Sequence, residues 1–130
     1  MIETFEQYQI AARRTQNNEL RLFQKREHAK MGLVSEVGEI MGLFQKTYQG
    51  HTFDESALKL EIGDCFWFLS ELCDCYGWAL DEVLQANVDK LKIRYPERFT
   101  PEKSINRIEY RDKTSGEKAR HYAQGEGHRK

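Results

Sequence analysis

Between Lys25 and Tyr48 the chain reads KREHAKMGLVSEVGEIMGLFQKTY, and the spacing of its apolar residues decides the fold. Leu33, Val37, Ile40, Leu43 and Phe44 fall on one stripe of an α-helix, whose period brings residues three or four apart onto a common face. The pattern predicts a long helix that stops near Gln49-Gly50, since glycine best tolerates the left-handed conformation at a helix end.

Downstream, Thr52-Phe53-Asp54-Glu55 has the form of a capping box, with a hydroxyl and a carboxylate placed to satisfy free backbone donors at a helix start. A third helix is expected from there through Leu58, Ile62, Phe66, Leu69 and Leu72 to Gly77. A fourth, from about Leu80, carries Val83, Leu84, Asn87 and Leu91, and ends near Arg94 or Tyr95 because Pro96 disfavours helical backbone in the residue before it. Upstream, Thr4-Phe5-Glu6-Gln7 opens a first helix over about residues 4–15, in which Thr4 and Gln7 are expected to satisfy each other's backbone donors and Phe5, Tyr8 and Ala12 share a face. No stretch alternates as a useful strand does, and no long repeat occurs. The class is therefore all-α, a four-helix bundle-like domain over residues 1–99. Residues 100–130 have few large apolar side chains beyond Ile105, Ile108, Tyr110 and Tyr122, and read as a polar, partly ordered C-terminal tail.

Composition narrows the function. A formal net charge of -1 with charges of both signs gives no basic field for a nucleic-acid polymer or an anionic membrane, so any polyanion is held locally. The apolar run around Cys65 to Leu69 is far shorter than the roughly 20 residues of a membrane helix, and no signal segment opens the chain, so a soluble, cytoplasmic protein is expected. Cys65, Cys73 and Cys75 lie in an apolar helical stretch and read as reduced core thiols, without the second pair or the histidines of a zinc site.

Glu36 and Glu39 are three apart on the second helix, and Glu61 and Asp64 repeat the device on the third. Four carboxylates converging from neighbouring helices repel unless a cation lies between them, and an all-oxygen set suits a hard ion such as magnesium or manganese. Solvated surface acids are the alternative for one such pair; the doubled pattern, amid Leu58, Leu60, Ile62, Cys65, Phe66, Trp67 and Phe68, argues for a protected cleft. A di-iron carboxylate bundle needs Glu-x-x-His pairs, and none occurs. Each acidic pair also encloses a glycine, Gly38 or Gly63, at a cost of about 1 kcal/mol relative to alanine, which suggests close helix approach there.

Gly32-Leu33-Val34-Ser35-Glu36-Val37-Gly38-Glu39, then Glu61-Ile62-Gly63-Asp64, then Asn87-Val88-Asp89-Lys90-Leu91-Lys92-Ile93-Arg94-Tyr95-Pro96 resemble the MazG-like all-α nucleoside triphosphate pyrophosphohydrolases. The family signature is Glu-x-x-Glu, a spacer, Glu-x-x-Asp, and Asn-x-x-Lys-Leu-x-x-Arg-Tyr-Pro. The resemblance runs from about Thr4 to Phe99; Ser35 stands where many members have glycine or another glutamate, so a fifth acid that some relatives use is missing. It implies metal-dependent hydrolysis of a nucleoside triphosphate to monophosphate and pyrophosphate, a nucleotide-pool housekeeping role, and a homodimer or homotetramer. Glu36, Glu39, Glu61 and Asp64 would be the magnesium ligands and catalytic carboxylates, with Asn87, Lys90 and Arg94 as substrate-binding residues and Lys46 as a secondary candidate. Without the resemblance, Lys90 and Arg94 read equally as a basic helix end. Trp67 and Phe44 can stack on a base or serve as core; His28 and His51 are left without a role, and Arg107, Arg111 and Lys113 form a basic group beside the domain. The competing reading is a non-enzymatic helical module that binds nucleotide or protein. Base preference among dUTP, dCTP, ordinary NTPs and damaged nucleotides is not encoded in this pattern.

Overall fold

A computed structural model of the chain describes residues 1–107. Ile108, Tyr110, Arg111, Lys113 and Tyr122 lie outside the described residues. The described chain is all-α: α1 Phe5–Arg13, α2 Leu22–Tyr48, α3 Glu55–Tyr76, α4 Leu80–Arg94 and a short α5 Pro101–Asn106. It divides into two compact units, one of Met1–Val83 and a second beginning at Leu84, within α4. No helix among the described residues is long and apolar enough to cross a membrane.

The helix ends follow local chemistry. Thr4 Oγ1 accepts the Gln7 N–H at 3.1 Å, while Gln7 Oε1 reaches past Thr4 to the N–H of Glu3 at 2.9 Å. α1 ends two residues before the expected boundary because the chain tightens: the N–H groups of Arg14, Thr15 and Gln16 each bond a carbonyl three residues back. α2 starts three residues earlier than its periodicity indicates, where Gln24 Oε1 accepts the Arg21 N–H at 3.0 Å. The cap of α3 is Asp54 rather than Thr52: Asp54 Oδ1 accepts from the amides of Ser56 and Ala57, both at 2.9 Å, placing a carboxylate at the positive end of the helix. Gly77, at φ 70°, ends α3 in the left-handed conformation, and Trp78 N–H closes on the Cys73 carbonyl at 3.0 Å. α5 occupies the start of the expected tail, capped by Thr100 Oγ1 with Pro101 in its first turn.

In the first unit α3 packs against both α1 and α2. Contacts along α2 and α3 step in opposite directions, from Arg26 with Cys75, through His28 with Glu71, to Phe44 with Phe53, so the two helices are antiparallel. Ala12, Ala29, Cys73, Cys75 and Leu80 are buried, and all three cysteines are free thiols. Close approach occurs at Gly32, where a Cβ would clash with the ring of Phe68. At Gly38 and Gly63 a Cβ would meet nothing within 4 Å, so the approach expected there is displaced one to two turns along α2, where the large Phe68 ring needs the space.

α1 is clamped to α3 by one carboxylate. Asp74 accepts two hydrogen bonds from Arg13, at 2.6 and 3.1 Å, and one each from Gln9 and Gln16, both at 2.8 Å. Gln9 also donates to the Trp78 carbonyl and accepts from the Leu80 N–H, tying in the start of α4. Burial alone would raise the Asp74 carboxyl; the hydrogen bonds from Arg13, Gln16 and Gln9, with the Arg13 charge, outweigh it and hold the group below its ordinary value. Its stabilisation is therefore complete above the ordinary aspartate value of about 3.9 and is lost as pH falls through the lower folded value. Asp74→Asn is expected to lose about 2 kcal/mol at neutral pH, the scale of hydrogen bonds to a charged group, and to show a shallower loss on acidification. Urea unfolding at pH 7 and pH 3 checks both; equal acid sensitivity in the two proteins would remove Asp74 from this role.

Large apolar side chains remain on the outer faces of the hairpin, including Met31, Val34 (73% exposed) and Met41 on α2 and Leu60 (69% exposed) on α3.

Candidate metal centre

Glu36 on α2 and Glu61 and Asp64 on α3 each contribute one carboxylate oxygen to a group in which all lie within 4.8 Å of one another. The spacing within α3 places its pair on one face, and the antiparallel packing sets the register that brings Glu36 opposite them. Glu36 and Glu61 are half-buried, and Asp64 is exposed. Partial burial pushes the Glu36 carboxyl above its ordinary value; the charges of Asp64, Glu61 and Glu39, and a hydrogen bond with Glu61, push it further the same way. Such a group is short of a positive charge. The donors are all oxygen, as hard divalent ions prefer, so the residues present fit a magnesium-type ion. Burial raises the neighbouring Cys65 thiol, and the charges of Glu36, Asp64 and Glu61 add to that.

Glu39 is exposed, one turn beyond Glu36; its charge reaches Glu36, but its oxygens lie outside the converged group. Lys46 is exposed in the last turn of α2, a rise of about 15 Å from Glu36 along the helix axis. Asn87, Lys90 and Arg94 lie in the second unit on one face of α4, with the Arg94 guanidinium over the Tyr95 ring at 5.7 Å. Phe44 pairs with Phe53 near the α2–α3 loop, ring centroids 4.9 Å apart. The backbone N–H of His51 bonds the Lys46 carbonyl at 3.1 Å.

Of the other side chains that assemble around the carboxylates, Trp67 and Phe68 stand in the apolar stretch expected to shelter them, whereas Tyr8 and Thr15 carry no signal of this role in their spacing. Tyr8 of α1 donates its hydroxyl to the Gly63 carbonyl at 3.3 Å, between the two acids of α3, and burial followed by the Asp64 charge raises its phenol. Thr15, Trp67 and Phe68 join Glu36 and Asp64 in lining a cleft of about 440 Å³. A more apolar cleft of about 340 Å³, lined by Ile2, Phe5, Tyr8 and Phe66 among others, holds no converged acidic set. His28, two turns before Glu36, bonds Glu71 Oε2 at 2.8 Å, and Glu71 is wholly buried.

Among known families, the MazG nucleotide pyrophosphohydrolase domain matches residues 24–99, which include both acidic pairs and the face of α4. The chain belongs to the MazG family. No curated protein and no solved structure matches it. The MazG match makes this a pyrophosphohydrolase-type domain with a nucleotide as substrate, in a family that is generally dependent on a divalent metal. Within the MazG region α2 and α3 supply the whole converged group, whereas α1 and the turn after it, which bring Tyr8 and Thr15, precede it.

Proposed function

We propose that the protein hydrolyses nucleoside triphosphates, ribo or deoxyribo, to the monophosphate and pyrophosphate in a magnesium-dependent reaction, with manganese as a substitute, and so serves nucleotide-pool housekeeping. The convergence of Glu36, Glu61 and Asp64 from two helices carries this reading. These three, completed by Glu39, would hold the ion, which when bound supplies charge neutralisation at phosphate oxygens and acidifies water. A carboxylate of the same group orients the attacking water and takes up its proton. Asn87, Lys90 and Arg94 are assigned to sugar and phosphate binding, where a guanidinium pairs with two oxygens at once, and Lys46 to a peripheral phosphate contact. The apolar faces of α2 and α3 left open in one copy support self-association as a homodimer or homotetramer.

The test is pyrophosphate release from a panel of canonical and modified NTPs and dNTPs with magnesium, manganese or chelator, with the nucleotide product identified. Monophosphate and pyrophosphate in equal amounts, abolished by chelator, is the expected result. Metal binding without turnover across the panel would instead make the chain a binding module. Glu39→Gln is expected to lower turnover by roughly 10- to 100-fold while the helical circular dichroism persists, the range seen when a group supporting a metal site is removed. Unchanged turnover would take Glu39 out of the ligand set.

A further inference from the structure

α1 lies ahead of the MazG region, yet one of its side chains reaches the metal centre. α1 and the turn after it are tied to α3 at Asp74, where Gln9, Arg13 and Gln16 gather, and at Trp67, whose indole N–H donates to Thr15 Oγ1 at 2.7 Å. They are also tied at Gly63, whose carbonyl accepts the Tyr8 hydroxyl at 3.3 Å. Gly63 and Asp74 are separated by a rise of about 16 Å along α3, so the Tyr8 bond and the Asp74 cluster act on different parts of the helix. Of these ties only the one from Tyr8 falls between the acids Glu61 and Asp64.

The Gly63 carbonyl belongs to the same planar peptide as the Asp64 N–H. A donor on that oxygen therefore acts on the plane from which the Asp64 Cα, and with it the carboxylate, projects. A helix uses one lone pair of such a carbonyl for the amide four residues on, and the phenol takes the other. Tyr8 is half-buried, and Phe5 and Phe66 line the same apolar cleft, which limits competition from water for the bond. Asp64 lies close enough for its charge to add to burial in raising the Tyr8 hydroxyl, which keeps the proton on the oxygen that donates. Asp64 itself is exposed, so packing does not lock its carboxylate, and it faces the repulsion that also raises the Glu36 carboxyl. Backbone placement is what holds it in the group.

We propose that Tyr8 is a positioning residue of the metal centre: its hydroxyl holds the Gly63–Asp64 peptide so that the Asp64 carboxylate stays converged with Glu36 and Glu61. The centre is then assembled from three helices, and α1 is part of it although it precedes the family's domain. The role rests on the reading of Glu36, Glu61 and Asp64 as the metal end. Tyr8 takes no part in the chemistry. Without its bond the acids part to relieve their repulsion, and a divalent ion must draw them together again at the expense of its own affinity.

The experiment titrates manganese into the full-length chain by calorimetry, with the melting temperature of the metal-free protein measured alongside. Tyr8→Phe keeps the ring and removes the hydroxyl, and is expected to weaken manganese binding about tenfold, the lower end of the range for groups that support a metal ligand from behind. At saturating manganese it should regain most of the parent's turnover, so that the loss lies in the metal requirement rather than in kcat. Asp74→Asn, which loosens α1 at its other tie, should show the opposite split: a larger fall in metal-free melting temperature, with manganese affinity as in the parent. Tyr8→Leu also lacks the hydroxyl and should match Tyr8→Phe in manganese affinity, which keeps the answer within reach if one of the two folds poorly. Parent-like manganese affinity in the Tyr8 variants overturns the role. An equal loss of affinity in Asp74→Asn overturns it too, since any loosening of α1 would then disturb the site. A parent chain that binds no manganese overturns the metal-end reading itself, and is recognised without any variant.

Discussion

Asp64→Asn is expected to lower pyrophosphate release by about a hundred- to a thousandfold, the scale of removing a group that stabilises transition-state charge in a preorganised site. It should do so without harming the fold. Asp64 is exposed, so asparagine leaves no cavity, and removing one charge relieves the repulsion that raises the Glu36 carboxyl. The metal-free variant should therefore melt no lower than the metal-free parent. The ion's contribution separates the two proteins: a ligand that binds only the folded chain stabilises it by mass action, so saturating manganese should raise the melting temperature of the parent and leave the variant nearly unmoved. Glu61→Gln, at a half-buried position on the same face, should behave alike. Turnover within tenfold of the parent in Asp64→Asn would sink the assignment of this cluster.

The helices and the acidic pairs were legible because they depend on spacing within one segment. Glu61 and Asp64 share a face wherever α3 is helical, and Gly77 marks its end for reasons of local backbone. Local chemistry also misled. Thr52 has the form of a cap, yet Asp54 reaches two amides and takes the role. Thr100-Pro101, an N-cap followed by a first-turn proline, starts α5 although the residues after it lack the apolar stripe by which the longer helices are recognised. What spacing cannot carry is register between segments. It did not reveal that Tyr8 would reach the Gly63 carbonyl, that four donors would gather on Asp74, or that Glu71 would be buried behind His28. The same limit explains the glycines: local cost marked Gly38 and Gly63, while the position that the packing requires to be small is Gly32.

Gly32→Val is accordingly expected to be among the most destabilising single changes in the hairpin, at about 3 kcal/mol by the scale of overpacked cores. A Cβ on residue 32 would stand far closer than van der Waals contact to Phe68 Cε1, Cζ and Cδ1, atoms of a ring rather than the far end of a flexible side chain. The ring has little room to give, with Trp67 at 4.9 Å and His28 at 5.5 Å, and His28 itself is tied to Glu71. α2 and α3 must part instead, which moves Glu36, one turn from Gly32, away from Asp64. Gly32→Ala feels the same clash, offset by about 1 kcal/mol of helix propensity, and should be milder. Gly38→Ala and Gly63→Ala gain that propensity without a clash and should be stabilising by about 0.5–1 kcal/mol each. Urea unfolding ranks the four. The decisive comparison adds Phe68→Leu: if the ring is what Gly32 makes room for, Gly32→Ala should cost less beside Phe68→Leu than beside the native phenylalanine, a favourable coupling of about 1 kcal/mol. Additive costs would mean that the two residues do not share the space and that the helix approach is set elsewhere.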